Sequence, residues 1–183
     1  MSGRITDPDV RILACVSAQL QGDYADDDLA WEGSPFAWLR RRPSRQRGSI
    51  GEQLVAGWCA ARNLNVARAP DSECDRLIES YRTEIKFSTL WASGGYKFQQ
   101  FRDQRYDMAI CLGVTPFDAH CWVIPKHILE QYVIGHTPQH GGRAGTDTAW
   151  LSVRPEAPPG WLTEWGGRLS QAFDVLRRLT GAP

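Results

Sequence analysis

The chain has 183 residues, 42% of them hydrophobic and 23% charged, with 21 basic side chains balancing 21 acidic ones. A chain of that length can form a single domain, residues 1–183, with a sizeable core, and a net charge of zero argues against a protein that coats nucleic acid indiscriminately. No apolar run approaches the ~20 residues of a membrane span, no export signal opens the chain, and Cys15, Cys59, Cys74, Cys111 and Cys121 show no C-x-x-C spacing, so a cytoplasmic protein with reduced, mostly buried thiols is expected, with no membrane partner.

Residues 8–22 place Val10, Leu13, Val16, Ala18 and Leu20 at helical spacing. An acidic loop follows, with Asp23, Asp26, Asp27, Asp28 and Glu32. Ser34-Pro35 ahead of Phe36-Ala37-Trp38-Leu39 reads as an N-capped helix start, and Arg40, Arg41, Arg42, Arg45 and Arg47 make a basic run around Pro43. Residues 49–63 form the clearest helix, with Ile50, Leu54, Val55, Trp58 and Ala61 on one side and Ser49 as the candidate cap. Glu52, three residues after Ser49, fits a capping box. Asn65 to Ala69 is a candidate first strand.

The stretch from Asp71 to Phe87 carries the chemistry. With period two, residues 76–79 and 82–87 are strands turning at Ser80-Tyr81, which sets Leu77 opposite Glu84 and Asp75 opposite Lys86. Alternation then puts Glu84 and Lys86 on one face near Asp75, and Ile85 and Phe87 in the core. Glu84 and Lys86 lie about 6.6 Å apart along a strand, so both can reach one small ligand. Two carboxylates suit Mg²⁺, which needs only one or two protein acids and keeps most of its water, and an ammonium alongside can orient that water. This is equipment for phosphodiester hydrolysis.

Residues 88–98 read as a loop, and Gln99 and Gln100 open a polar stretch with Arg102, Asp103 and Arg105. Residues 106–114 and 120–124 are buried strands joined by a turn, completing an α/β core with a mixed sheet of five strands. Lys126 to Ile134 is a helix, 136–150 a glycine-rich loop, and 150–153 a further strand. From Thr163 the pattern Trp165, Leu169, Phe173, Leu176, Leu179 gives a closing helix ending at Gly181, which packs on the sheet or forms a dimer surface.

Asp75 followed by Glu84-Ile85-Lys86 resembles the signature of the PD-(D/E)XK nuclease superfamily, the fold of many restriction endonucleases, with Cys74 where the family name has proline. The order of elements from Ser49 to Pro125 is similar to the superfamily core, which divides the chain into a helical segment 1–48, a core 49–125 and a recognition loop with a closing helix, 126–183. The resemblance implies a restriction-endonuclease-like fold and a Mg²⁺-dependent type II restriction endonuclease, Mn²⁺ substituting, acting on double-stranded DNA as a homodimer or as a monomer that nicks or works in pairs; the alternatives are a structure-specific repair, junction-resolving or RNA-processing nuclease of the same core, and a catalytically silent nucleic-acid-binding module. Asp75 and Glu84 would hold the metal with the Ile85 carbonyl, Lys86 would act on the water, and Glu52 would join them as an alternative or addition to capping. Gln100, or Gln99, would support the lysine or a phosphate, unless both are polar helix surface. Arg45 and Arg47 suit backbone phosphates, and in the loop Arg143 suits guanine and Gln139 adenine, with His140 beside them. His136 and His140 form a weak zinc alternative, broken by Pro138.

Overall fold

The computed structural model describes residues 8–23, 29–137 and 148–182. Helix α1 spans Pro8–Asp23, α2 Ala37–Arg40 and α3 Ser44–Ala61; strands β1 Val66–Arg68, β2 Arg76–Ile78, β3 Tyr81–Thr89, β4 Tyr96–Phe101, β5 Met108–Val114 and β6 Ala119–Pro125 follow. Helix α4 (Lys126–Tyr132), β7 (Ala149–Val153), a 3₁₀ turn (Gly160–Trp165), β8 (Gly166–Arg168) and α5 (Leu169–Thr180) complete the chain.

Six strands form the main sheet in the order β1-β2-β3-β5-β6-β8, and β4 pairs with β7 in a separate two-stranded ribbon. Only β3 and β5 run parallel; every other neighbouring pair is antiparallel. The sheet is therefore mixed, as expected, but larger by a strand, and residues 96–101 form β4 where a loop and polar helix surface were expected. Their alternation explains the difference: Tyr96, Phe98 and Phe101 are buried, while Lys97 and Gln99 face outward.

Alternation along β5 and β6 assigns the two faces. Ile110 and Val123 pack with Val55 and Cys59 of α3 and with Ala172, Phe173 and Leu176 of α5. Ala109, Cys111, Trp122 and Ile124 pack instead with the ribbon's Tyr96, Phe98, Leu151 and Val153, with Leu129 of α4 and with Leu162. In register, Glu84 lies beside Ala109 and Lys86 beside Cys111, so both face the ribbon side, while Ile85 and Phe87 face the helices. Gly113 lets the ribbon seat itself: a Cβ there would lie 2.6 Å from the Tyr96 ring.

Several boundaries differ from expectation. α3 starts at Ser44, directly after Pro43, so the helix crosses the expected boundary at 48 and Ser49 is an interior residue rather than a cap. Ser34 serves the turn before α2, its hydroxyl accepting from Phe36 N at 3.0 Å and donating to the Pro116 carbonyl. The closing helix begins at Leu169, because Gly166 and Gly167 first add β8 against β6; a Cβ on Gly166 would sit 2.3 Å from the Cys121 carbonyl. Gly181 ends that helix at φ 69°, and α5 lies on the sheet. α1 is helical as expected, yet Leu13, Val16 and Leu20 are exposed and join none of the three apolar clusters. Among the described residues no helix is long and apolar enough to cross a membrane. All five cysteines are free, and only Cys15 is exposed.

Candidate active site

The hairpin that builds the site turns one residue earlier than its apolar pattern implies. Glu79 and Ser80 are the turn residues, both left-handed at φ 49° and 70°, so Ile78 faces Tyr81 and Leu77 faces Arg82. Two non-glycine residues in this conformation cost about 1 kcal/mol or more each. The tertiary structure holds them there, since the Glu79 carboxylate accepts from Asn65 N (2.7 Å) and Asn65 Nδ2 (3.1 Å), which also draws the Glu79 carboxyl below its ordinary value. The register thus moves two residues along β3 from the expected Leu77–Glu84 and Asp75–Lys86 pairs. A shift of two preserves the face, so the expected grouping survives the misplaced turn.

β2 ends its pairing at Arg76, and Asp75 takes over the freed edge of β3. Its amide donates to Thr83 O at 3.0 Å, and its Oδ2 accepts from Ile85 N at 2.7 Å. Beside it, Lys86 Nζ donates to Glu84 Oε1 at 2.6 Å and to Gln100 O at 2.9 Å, and sits 5.5 Å from the Phe101 ring centre. Both side chains are largely withdrawn from solvent, Lys86 at 13% and Glu84 at 10% exposure. Burial is the main reason the Glu84 carboxyl is raised above its ordinary 4.5; Lys86 opposes this and Asp75 adds to it.

Glu52 arrives from α3. Rather than capping through Ser49, its Oε2 meets Arg76 Nη2 at 3.3 Å, while Arg76 Nη1 donates to Asp75 O at 2.6 Å. Burial raises the Glu52 carboxyl, followed by repulsion from Asp75, against the pull of Arg76. One guanidinium therefore ties α3 to the hairpin. Nothing in the sequence marked Arg76, because its partner lies on another element; the only cue was a cation next to the first acid.

Glu52, Asp75, Glu84, Ile85 and Lys86 line one open cleft of about 820 Å³. Arg45 and Arg47 reach its rim from the first turns of α3, whereas Arg40 and Arg42 lie over the rings of Trp31 and Trp38 at 5.4 and 5.5 Å. Gln99, Gln100, Arg102 and Lys97 line the other side. Gln100 meets the lysine through its main-chain carbonyl. Arg143, Gln139 and His140, and with them the zinc alternative, lie outside the described residues.

Among the described residues no three His, Cys, Asp or Glu side chains converge into a closed metal cage. The donor set fits a different kind of ion. Asp75 and Glu84 supply hard oxygens, Glu84 and Glu52 are raised by burial and by neighbouring carboxylates, and a divalent cation would relieve both effects with one or two acids and its own water.

No family model matches the chain, and no curated protein does. Among solved structures, it is similar to a bacterial homing endonuclease, I-Ssp6803I, with a TM-score of 0.51 and 13% identity over 76% of this chain and 95% of that one. At that identity the likeness is one of architecture.

Proposed function

We propose that the chain is a Mg²⁺-dependent endonuclease that cuts double-stranded DNA at a specific sequence, as a type II restriction endonuclease does. The observation that carries this reading is Lys86 Nζ, fixed by Glu84 Oε1 and Gln100 O inside the cleft that Asp75 and Glu52 share. The nuclease-like fold supports it. So does the basic rim of Arg45, Arg47 and Arg102, suited to phosphates on either side of the cut.

Asp75 and Glu84 would hold the ion, with the Ile85 carbonyl a further ligand and Glu52 acting on the same ion or its water. A bound divalent cation supplies charge neutralisation at the phosphoryl and leaving oxygens and lowers the pKa of its water. The chain's own residues do the positioning. An ammonium has three donors, two of which Lys86 commits to Glu84 and Gln100, leaving one to orient the attacking water. The amide of Ile85 keeps the Asp75 carboxylate from rotating away, and Arg76 keeps Glu52 at hand. One set of Asp75, Glu84 and Lys86 per chain and two strands per duplex suit a homodimer, or a monomer that nicks or works in pairs.

The test is incubation of the purified chain with long duplex DNAs and Mg²⁺ or Mn²⁺, beside Lys86→Ala and Glu84→Gln, followed by sequencing of the ends. Discrete fragments sharing one sequence, lost with both variants, are expected. Fragments that persist in Lys86→Ala, or ends without a shared sequence, would overturn the reading.

A further inference from the structure

The cleft has a second wall, the β4–β7 ribbon, from which the catalytic grouping takes the Gln100 carbonyl and no polar side chain. β4 and β7 pair antiparallel with Lys97 opposite Ser152 and Phe98 opposite Leu151. Tyr96, Phe98, Leu151 and Val153 bury one face of this ribbon, so alternation turns Lys97, Gln99, Trp150 and Ser152 to the other. Lys97 and Gln99 line the same cleft as Glu84 and Lys86, and Arg45 and Arg47 line it from α3.

Lys97 is held rather than loose. Lys97 Nζ lies 4.2 Å from the ring centre of Trp91 and 5.5 Å from that of Trp150, which fixes a long side chain at the rim. Trp91 is itself 43% exposed, so an aromatic surface continues past the lysine. Among the described residues the Gln99 amide takes no hydrogen-bond partner, which leaves a donor and an acceptor side by side on a strand. Beneath them, Tyr96 sits over Gly113 and its hydroxyl bonds His120 Nδ1 at 2.8 Å, while Phe98 meets Trp122 edge-on at 6.2 Å. Recognition groups on such a rigid platform keep their geometry better than groups on a loop.

We infer that the outward face of the β4–β7 ribbon reads base edges in the major groove of duplex DNA, with Gln99 and Lys97 as specificity-determining residues. This rests on reading the cleft as that of a DNA nuclease. A two-stranded ribbon fits the ~12 Å major groove of B-DNA, where a glutamine pairs bidentately with adenine and a lysine with guanine N7 and O6. The basic residues flanking the cleft complement the phosphates on either side. The A-form major groove of RNA is too deep and narrow for the same approach.

Binding without cutting tests this directly. The full-length chain, in EDTA, is mixed with duplex DNA carrying a randomised centre, and the retained fraction is sequenced. Enrichment of one sequence is expected. Gln99→Ala and Lys97→Ala should each flatten the preference at one or two positions, by about 5- to 150-fold per base, the range a bidentate contact supplies. Gln99→Glu should move its position from adenine toward cytosine, whose N4 donates, a gain that misfolding cannot imitate. Enrichment unaffected by any of the three, weakening spread evenly over all sequences, or no enrichment by the unaltered chain would each overturn the inference. A chain that selects through Gln99 yet cuts nothing with any divalent metal refutes the nuclease reading and leaves the ribbon standing; one that cuts at a sequence indifferent to Gln99 does the reverse.

Discussion

Two glycines on α3 separate a packing effect from helix propensity. Gly51 is buried against β3, and a Cβ placed there would lie 2.2 Å from Phe87 Cβ and 2.6 Å from its Cγ. No rotation of Phe87 relieves this, because its Cβ is fixed to the strand. Gly57, on the exposed side of the same helix, would meet nothing within 4 Å. Alanine gains about 1 kcal/mol of propensity over glycine at either position. At Gly57 that gain stands alone, so Gly57→Ala should stabilise by about 0.5–1 kcal/mol. At Gly51 it is opposed by overpacking of about 1–3 kcal/mol. Since propensity cancels between the variants, their difference measures the clash itself. At ~2–4 °C per kcal/mol for a chain of this size, Gly51→Ala should melt roughly 2–12 °C below Gly57→Ala. Urea titration should show the same order in midpoint at constant slope. The DNA-cutting rate should fall in Gly51→Ala alone, because a retreating α3 draws Glu52 from its 3.3 Å contact with Arg76. If the two variants melt together, α3 does not rest on Phe87 as described.

Three further outcomes are expected. Ser80→Gly should raise stability by about 0.5–1 kcal/mol in chemical denaturation, because the residue already holds φ 70° and glycine adopts it without strain; an unchanged or lowered midpoint would contradict the turn geometry. Mg²⁺ at tenfold its Kd should stabilise the chain by about 1.4 kcal/mol, seen as a rise in Tm that Glu84→Gln loses. Glu84 and Glu52 are raised in the folded state, so without metal they favour folding increasingly as pH falls through their folded values toward the ordinary 4.5, and the Mg²⁺-dependent rise should fade over the same window as protons displace the ion. A rise in Tm that stays constant down to pH 4.5 would refute it. In native protein a thiol reagent should modify Cys15 alone, since the other four are buried and the Cys59 thiol is pushed up to about 12, whereas all five should react in denaturant; mass spectrometry reads both.

What the sequence made legible was periodicity. The alternation in residues 82–87 put Glu84 and Lys86 on one face whatever the turn, and the apolar runs of β5 and β6 identified strands buried on both faces. The turn itself was hidden because Glu79-Ser80 contains neither glycine nor asparagine, and Asn65, far along the chain, holds it. β4 was hidden because its partner β7 is some fifty residues away and its outward side is polar. The start of α3 was missed because S-x-x-E at Ser49 and Glu52 matches a cap as well as it matches an interior helix turn whose glutamate goes to Arg76. The grouping of acids and lysine was readable from local order, while Arg76 and the Gln100 carbonyl were not, since only the folded chain brings them to the hairpin.

The backbone turns left-handed at Gln100, φ 61°, where the ribbon's ladder breaks step between Phe98 and Phe101. Consecutive residues thereby serve different groups in one cleft: Gln99 offers its amide, and the Gln100 carbonyl holds Lys86 Nζ. If Gln99 meets a base, one peptide unit separates recognition from the group proposed to align the attacking water. A wrong base that pushes this strand aside would loosen Lys86 directly, with no other element having to move. Such an enzyme checks its target at the moment of cutting, so near-cognate sites should lose more in single-turnover cleavage rate than in affinity.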